Sequence, residues 1–393
     1  MIPESFIQDL LHRVDIVDLI DAHVPLKKAG ANYAACCPFH NEKSPSFTVS
    51  PTKQFYHCFG CGAHGTAIGF MMEYSGLGFI DAVKDLAGRA GMQVPEQEGR
   101  LRHEDRPRTV ELAEAMARAA AYYREQLKHS PKAIDYLKRR GLTGEIAAKF
   151  GIGYAPDGWQ NLEVVFANYT DPELLTAGLV IENDQGRRYD RFRDRIMFPI
   201  INPKGEVIAF GGRVLDSGEP KYLNSPETPL FEKGRELFGL PQARAALRDT
   251  DTAIVVEGYM DVVALAQHGV GNALATLGTA TTPVHVQKLL RQVDRIVFCF
   301  DGDNAGRKAA WRALENSLEA LPDQKIIGFV FLPETHDPDS YVREFGKDAF
   351  HRMVAQATPL SDFLLRELGS HSDLTSAEGK AKLVAEAKPL LQK

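Results

Sequence analysis

The spacing of apolar residues changes several times along the chain, and each change marks an element. Phe6, Ile7, Leu10, Leu11 and Val14 recur at helical spacing and predict an opening amphipathic helix. Residues 46–50 and 53–57 read as strands joined by a turn at Pro51-Thr52. Residues 65–91 are helical again, carrying Ile68, Phe70, Met71 and Met72, then Phe79, Ala82, Val83 and Leu86. From 96 to 108 the periodicity vanishes, and Leu101 is the only aliphatic residue among Glu, Gln, Arg, Asp and Pro. That composition predicts a flexible linker over residues 101–110. Helices follow over 110–127 and 134–140, with a third from a Thr143 cap through Phe150. Residues 195–201 and 207–210, joined by Asn202-Pro203-Lys204-Gly205, predict a β-hairpin. Helical spacing returns over 348–355, 360–368 and 377–391.

Three apolar runs have a different character: Ile254-Val255-Val256, Ile296-Val297-Phe298-Cys299-Phe300, and residues 325–332. They are β-branched or aromatic without alternation, as strands buried on both faces of a parallel sheet are. The first stops at Glu257-Gly258 and the second at Asp301-Gly302-Asp303. The third stops at Pro333, shortly before His336-Asp337-Pro338-Asp339. Each is followed by a helix-like stretch, so the acids fall at the carboxyl ends of successive strands, where open α/β sheets place their ligands. One Asp-x-Asp phrase is as readily a strand end or a helix cap. Three in register imply that Glu257, Asp261, Asp301, Asp303, Asp337 and Asp339 share one rim. Unit charges about 4 Å apart repel by roughly 4 kcal/mol at an effective dielectric near 20, so such a rim calls for a cation. Oxygen donors suit Mg²⁺ or Mn²⁺, which keep waters and bridge to phosphates. Cys299, inside its strand, reads as an ordinary core residue. The turn Leu277-Gly278-Thr279-Ala280-Thr281 offers backbone N–H groups to a phosphate.

Composition changes this picture at one place. The five cysteines are Cys36, Cys37, Cys58, Cys61 and Cys299, and four of them fall within 26 residues. Two residues separate Cys37 from His40, and two separate Cys58 from Cys61, which suits two knuckles closing a tetrahedral Zn²⁺ shell on a ribbon. Adjacent strand residues point oppositely, so one of Cys36 and Cys37 faces the metal, and the spacing selects Cys37. His57 and His64 are rival ligands to a set already filled. A closed shell of this kind is structural. Phe47, Phe55, Tyr56 and Phe59, with Lys43 and Lys53, are candidates to stack bases and meet phosphates, with half of the aromatics expected in the ribbon's own core. The net charge of −6 argues mildly against a nucleic-acid binder, but residues 187–235 hold ten Lys or Arg against seven Asp or Glu. Arg187, Arg188, Arg191, Arg193 and Arg195 crowd one approach. Their bland reading is a solvated face. Lys221-Tyr222-Leu223-Asn224-Ser225-Pro226 differs in kind, mixing cationic, hydroxyl and amide donors suited to phosphate. There is no run of about 18 apolar residues and no signal peptide, so a cytoplasmic chain without membrane contact is expected.

The motifs carry a resemblance. Glu257-Gly258 with Asp301-Gly302-Asp303 resembles the Toprim signature shared by topoisomerases and bacterial primases. The longer phrases Glu257-Gly258-Tyr259-Met260-Asp261 and Asp301-Gly302-Asp303-Asn304-Ala305-Gly306 resemble the DnaG-type primases. Cys37-Pro38-Phe39-His40-Asn41-Glu42-Lys43 and Phe55-Tyr56-His57-Cys58-Phe59-Gly60-Cys61-Gly62 are similar to that family's zinc-binding domain. Nearly all 393 residues are covered. The resemblance implies a mixed α/β, multidomain chain: a zinc ribbon (1–100) that reads template, the linker (101–110), a basic subdomain of the RNA polymerase core (111–240), a Toprim metal-binding subdomain (241–345) and a helical segment (346–393). It implies a DNA-directed RNA polymerase making short primers on single-stranded DNA from ribonucleoside triphosphates for DNA replication. Glu257, Asp301 and Asp303 would hold one to three catalytic Mg²⁺ or Mn²⁺ ions, with Asp261, Asp337 and Asp339 as second-ion or outer-shell candidates. Arg193, Arg195, Arg213, Lys221, Tyr222, Asn224 and Lys233 would line the groove for template and nucleotide, and one structural Zn²⁺ would sit in the ribbon. The family carries a further C-terminal domain for the replicative helicase. No room for it is apparent, so the chain is expected to lack it, to be a catalytic fragment, and to be a monomer. Two other readings are a Toprim topoisomerase, for which no tyrosine stands in a recognisable setting, and a non-catalytic DNA clamp, which has no use for six acids near phosphate.

Overall fold

The computed structural model describes the chain apart from residues 1–3, 41, 43, 76, 93, 95–104, 217, 323, 371–372 and 393. It forms two compact units, one built mainly from the first 103 residues and the other from the chain beyond them.

The first unit opens with helices α1 (Glu4–Arg13) and α2 (Ile16–Asp21), the second capped by the Asp15 carboxylate. Five antiparallel strands follow in chain order: β1 (Lys27–Ala29), β2 (Asn32–Ala35), β3 (Phe47–Ser50), β4 (Phe55–Cys58) and β5 (His64–Gly65). Alternation decides their faces. Phe47 and Val49 of β3 point inward opposite Cys58 and Tyr56 of β4, and all four are fully buried. The helical stretch read over 65–91 is two helices, α3 (Ala67–Ser75) and α4 (Phe79–Arg89). Their Phe70, Val83 and Leu86 close the core over the sheet. Of the four ribbon aromatics, Phe47 and Tyr56 fill this core while Phe59 is 76% exposed.

In the second unit the expected linker needs correction. Residues 101–104 lie outside the described residues, but from Asp105 the backbone belongs to a long helix, α5 (Asp105–Lys128). Arg and Glu are good helix formers, and Pro107 falls in the first turn, where its missing N–H is no loss. Apolar periodicity is blind to a helix whose first turns carry no apolar stripe. Helices α6 (Pro131–Arg139) and α7 (Gly144–Phe150) follow, capped by Ser130 and Thr143. The basic subdomain sheet contains β6 (Gly153–Ala155), β9 (Arg195–Ile201), β10 (Val207–Val214) and β11 (Tyr222–Asn224), in the antiparallel order β11-β10-β9-β6. Beside it are helix α8 (Pro172–Thr176) and a two-stranded hairpin of β7 (Val180–Glu182) and β8 (Arg188–Asp190). Strand β10 runs past the predicted Phe210 because β11 pairs with its far end, Arg213 opposite Tyr222.

After α9 (Leu240–Thr250) comes the sheet that carries the acids: β12 (Thr252–Val256), α10 (Tyr259–Gln267), β13 (Ala273–Ala275), α11 (Pro283–Leu290), β14 (Arg295–Phe300), α12 (Asn304–Leu318), β15 (Ile326–Phe331), α13 (Pro338–Ala355) and β16 (Thr358–Pro359). The order is β13-β12-β14-β15-β16, with only β16 antiparallel. The three apolar runs are therefore neighbours, and their interiors are buried on both faces. Helix α13 begins ten residues before the predicted 348, interrupted at Gly346 with φ +80°. Helices α14 (Leu360–Ser370) and α15 (Ala377–Leu391) close the chain. Among the described residues no helix is long and apolar enough to cross a membrane.

Candidate active site and zinc centre

In the first unit, Cys37, His40, Cys58 and Cys61 bring one ligand atom each to within 4.8 Å of all the others. The Cys37 and Cys61 sulfurs are 3.8 Å apart, and Cys58 Sγ is 3.7 Å from His40 Nδ1. A tetrahedron with Zn–S bonds of about 2.3 Å has S···S edges of about 3.8 Å, so the quartet fits Zn²⁺. Each knuckle is braced by N–H···S bonds: Phe39 N–H to Cys37 Sγ, and the Gly60 and Cys61 N–H groups to Cys58 Sγ. Burial pushes the Cys37 thiol well up, so the thiolate that a metal needs there forms only with a cation beside it. Cys36 is exposed and outside the quartet, and half-buried His57 and exposed His64 also stand outside it. Sequence reasoning missed Glu42. Its carboxylate accepts from Cys37 N–H, Ser46 N–H and Ser46 Oγ, and lies 3.3 Å from His40 Nε2. Ser46 Oγ in turn is 3.2 Å from Cys58 Sγ.

In the second unit the acids meet at the carboxyl edge of the parallel sheet, in two groups that share Asp301. Burial and the charges of Asp301 and Asp303 hold Glu257 above the ordinary carboxylate range. Burial and the charges of Asp337, Asp301 and Asp339 push Asp261 up to about 8. Asp301 itself is raised by burial, then by Asp337 and Asp303. Three helices begin here, α10, α12 and α13. A helix N-terminus favours a nearby anion by about 0.3–1 kcal/mol. Two charges about 5 Å apart repel by roughly 3 kcal/mol at an effective dielectric of 20, so the helix ends do not neutralise the rim. Among the described residues only the zinc quartet closes its ligand atoms to within 4.8 Å. The wider rim suits a hard cation that keeps several waters and takes oxygen donors.

The capping reading of these acids is also true in part. Asp303 Oδ1 caps α12 through Gly306 N–H at 2.7 Å, and Asp337 Oδ1 caps α13 through Ser340 N–H at 2.7 Å. Each retains a second carboxylate oxygen. Burial would raise Asp337, but the Ser340 hydroxyl and N–H outweigh it and hold the group low. Asp339 departs from expectation. It is 2% exposed and ion-paired to Arg140 at 3.4 Å and Arg343 at 3.6 Å, so it is an ion-pair hub rather than an open ligand.

The basic candidates divide as well. Arg213 is 5% exposed, its guanidinium lies 5.4 Å from the Tyr136 ring and 5.5 Å from the Tyr222 ring, and its Nε and Nη1 have no hydrogen-bond partner. The Tyr222 hydroxyl feels Arg213 and Arg140 together with Asp261 and Asp337, which puts the basic strand beside the rim. Lys221 is exposed and Lys233 half-buried. Two candidates are corrected. Arg195 is buried and donates to the Gly212 carbonyl, because its position on β9 faces the core. Asn224 donates Nδ2 to the Leu277 carbonyl and accepts from the Tyr259 hydroxyl, so both ends of its amide brace the fold. Arg193 stacks over Trp159 at 4.4 Å and Tyr189 at 5.0 Å. Trp159, 66% exposed, was missed by sequence reasoning, although a Trp in the polar turn Asp157-Gly158-Trp159 is itself a signal.

Family models match four stretches: "CHC2 zinc finger" over 2–102, "DNA primase catalytic core, N-terminal domain" over 122–244, "Toprim-like" over 254–342, and "DnaB-helicase binding domain of primase" over 361–393. The last overturns the expectation that the helicase-binding domain is lacking. It covers α14 and α15, whose short apolar stripes look like any helical tail in sequence. A DNA primase of Neisseria meningitidis is 58% identical over 100% of this chain and 67% of its own length. Among solved structures, the zinc-binding and RNA polymerase domains of the Aquifex aeolicus primase align with a TM-score of 0.61 at 34% identity, covering 98% of this chain and 92% of that one. A DnaG primase catalytic domain bound to ssDNA aligns at 0.69 and 47%, covering 72% and 93%. By its motifs, its fold and these relatives, the chain belongs to the DnaG family of DNA primases.

Proposed function

We propose that the chain performs its family's reaction, templated synthesis of short RNA primers from ribonucleoside triphosphates, at the rim where β12, β14 and β15 end. The observation that carries this reading is the gathering of Glu257, Asp261 and Asp301 at one sheet edge, where burial and neighbouring carboxylates hold each above its ordinary range. A divalent cation, Mg²⁺ or Mn²⁺, would neutralise the triphosphate and the developing charge of nucleotidyl transfer. Glu257, Asp301 and Asp303 hold one such position, and Asp261 with the free oxygen of Asp337 borders a second through Asp301. Arg213, buried with two N–H-bearing nitrogens unpartnered, donates to a phosphate oxygen, and Lys221 and Lys233 add charge for the triphosphate. Trp159 and Arg193 form an exposed stacking platform for single-stranded template, as does Phe59 on the ribbon. The zinc quartet holds one structural Zn²⁺. Helices α14 and α15 bind the replicative helicase, and the enzyme works in the cytoplasm.

The test uses the full chain with single-stranded template, four ribonucleotides and Mg²⁺. RNA product is expected, and Asp301→Ala is expected to lower synthesis at least about a thousandfold with an unchanged thermal melt. Undiminished synthesis by the variant overturns the assignment.

A further inference from the structure

Lys233 sits on a loop with few apolar anchors, between Phe231 and Leu237, yet three successive carbonyls of that loop are captured by one helix. His285 Nε2 lies 3.1 Å from the Lys233 carbonyl. Thr282 Oγ1 donates to the Gly234 carbonyl at 2.7 Å. Lys288 Nζ donates to the Arg235 carbonyl at 3.0 Å and pairs with Glu236 at 2.8 Å. From the other side, Lys233 N–H donates to the Glu227 carboxylate at 3.2 Å. All three clamping side chains belong to α11 or its cap.

His285 has no exposed surface, and its protonation state is fixed by its neighbours. Thr282 N–H donates to Nδ1 at 3.2 Å, so Nδ1 carries no proton and Nε2 must be the donor to Lys233. The ring is therefore neutral, with its pKa pushed down to about 4 by burial and by Lys288, against bonds to the Lys233 and Glu236 backbone. The turn that leads into α11 is itself anchored on both sides. Asn316, near the C-terminal end of α12, donates to the Thr281 carbonyl at 2.7 Å. Asn224 of β11 grips the Leu277 carbonyl at the start of the turn.

We infer that His285 is a positioning residue for the incoming nucleotide: through its Nε2–H bond to the Lys233 carbonyl, with Thr282 and Lys288 beside it, it sets where the Lys233 ammonium stands relative to the rim. This rests on the assignment of Lys233 to the triphosphate. A buried donor left unmatched is costly to a loop's placement, and a charged loop has little else to define it.

The experiment measures primer synthesis by the full chain across ribonucleotide concentrations, with thermal melts of each variant. His285→Leu is expected to raise the nucleotide KM about tenfold, with kcat within about twofold, the scale of one lost hydrogen bond. His285→Gln, which keeps an N–H donor near the Nε2 position, is expected to restore most of KM. Thr282→Val, which removes the bond to Gly234 and the cap that Thr282 Oγ1 gives the His285 N–H, is expected to shift KM in the same direction and serves if the Leu variant does not fold. On a Lys233→Ala background, His285→Leu is expected to add nothing. An unchanged KM in His285→Leu and Thr282→Val, a Gln variant no better than Leu, or full additivity with Lys233→Ala overturns the inference. If Lys233→Ala alone leaves KM unchanged, the assignment of Lys233 fails instead, and that single variant reports it.

Discussion

Two glycines show why acid and glycine travel together at the rim. A Cβ on Gly302 would lie 2.1 Å from the Leu332 carbonyl, and one on Gly306 would lie 2.2 Å from the Asp301 carbonyl. Both contacts are with backbone, which cannot swing aside. Gly302→Ala is therefore expected to destabilise the second unit by about 1–3 kcal/mol in a urea melt and to lower synthesis by moving Asp301 and Asp303. A melt superimposable on wild type would show that the β14 end has room to shift. Asp190 supports a second expectation. It is 1% exposed, accepts from the Tyr169 hydroxyl at 2.7 Å and Leu162 N–H at 3.1 Å, and burial raises it from 3.8 to about 6. Between those values the folded state holds more protons than the unfolded, so this group's contribution to stability falls as pH rises and stays lost above about 6. His285, lowered to about 4, has the opposite slope, its contribution being lost as pH falls from 6.5. The total is thus blunted, and the difference between wild type and Asp190→Asn isolates one term. The Asn variant is expected to gain about 1–2 kcal/mol on wild type between pH 4 and 7. An unchanged difference across that range contradicts it. The acids and the zinc ligands were legible because their spacing is tied to strand ends and knuckles. Arg195 and Asn224 were not, because a basic or amide residue in sequence carries no sign of which way its strand faces. Arg140 was missed because its partner, Asp339, lies 199 residues away.

At the scale of elements, periodicity found the parallel strands and the β9–β10 hairpin, whose faces are dictated by burial. It was blind to β13, three residues long, and to the polar start of α5. The ribbon shows what metal adds to such local rules. Glu42 touches three of the four ligands: Cys37 through its N–H, His40 through Nε2, and Cys58 through Ser46. Outer partners of this kind orient ligands, and losing one typically lowers metal affinity about 10–100-fold. Glu42→Gln keeps acceptors for the N–H groups but removes the charge beside His40. It is expected to weaken Zn²⁺ binding by that factor in a competition titration with a chromogenic chelator. Stripping the zinc is expected to remove amide-exchange protection over 27–65 while 252–331 stay protected, because a structural Zn²⁺ supplies folding free energy only to the unit that holds it. Protection surviving in β3 and β4 would show that Phe47, Val49 and Tyr56 suffice without the ion.

For the molecule as a whole, the net charge of −6 conceals a division of labour. Six acids gather at one sheet edge, while exposed Lys221 and buried Arg213 lie on or beside the basic sheet. The same uneven distribution applies to apolar surface in the segment matched to the helicase-binding model. Helix α14 is anchored: Phe363 packs on Phe329 and Phe331 of β15, and Leu360, Leu364 and Leu368 are buried. Leu365 of the same helix, and Leu374, Val384 and Leu391 beyond it, are 53, 43, 64 and 69% exposed. Scattered exposed apolar residues are common on proteins, so exposure alone would decide nothing. Their concentration in a segment matched to a partner-binding domain does, since truncating an apolar anchor at an interface costs far more than at a free surface. Val384→Asp is therefore expected to raise the Kd for the organism's own DnaB-type helicase at least about tenfold, measured by fluorescence anisotropy. Primer synthesis without helicase is expected to be unchanged, because α15 packs on α12 and α14 and carries none of the residues assigned to the rim. An unaltered Kd would move the contact off α15, and a parallel loss of synthesis would mean that α15 supports the sheet instead of the partner.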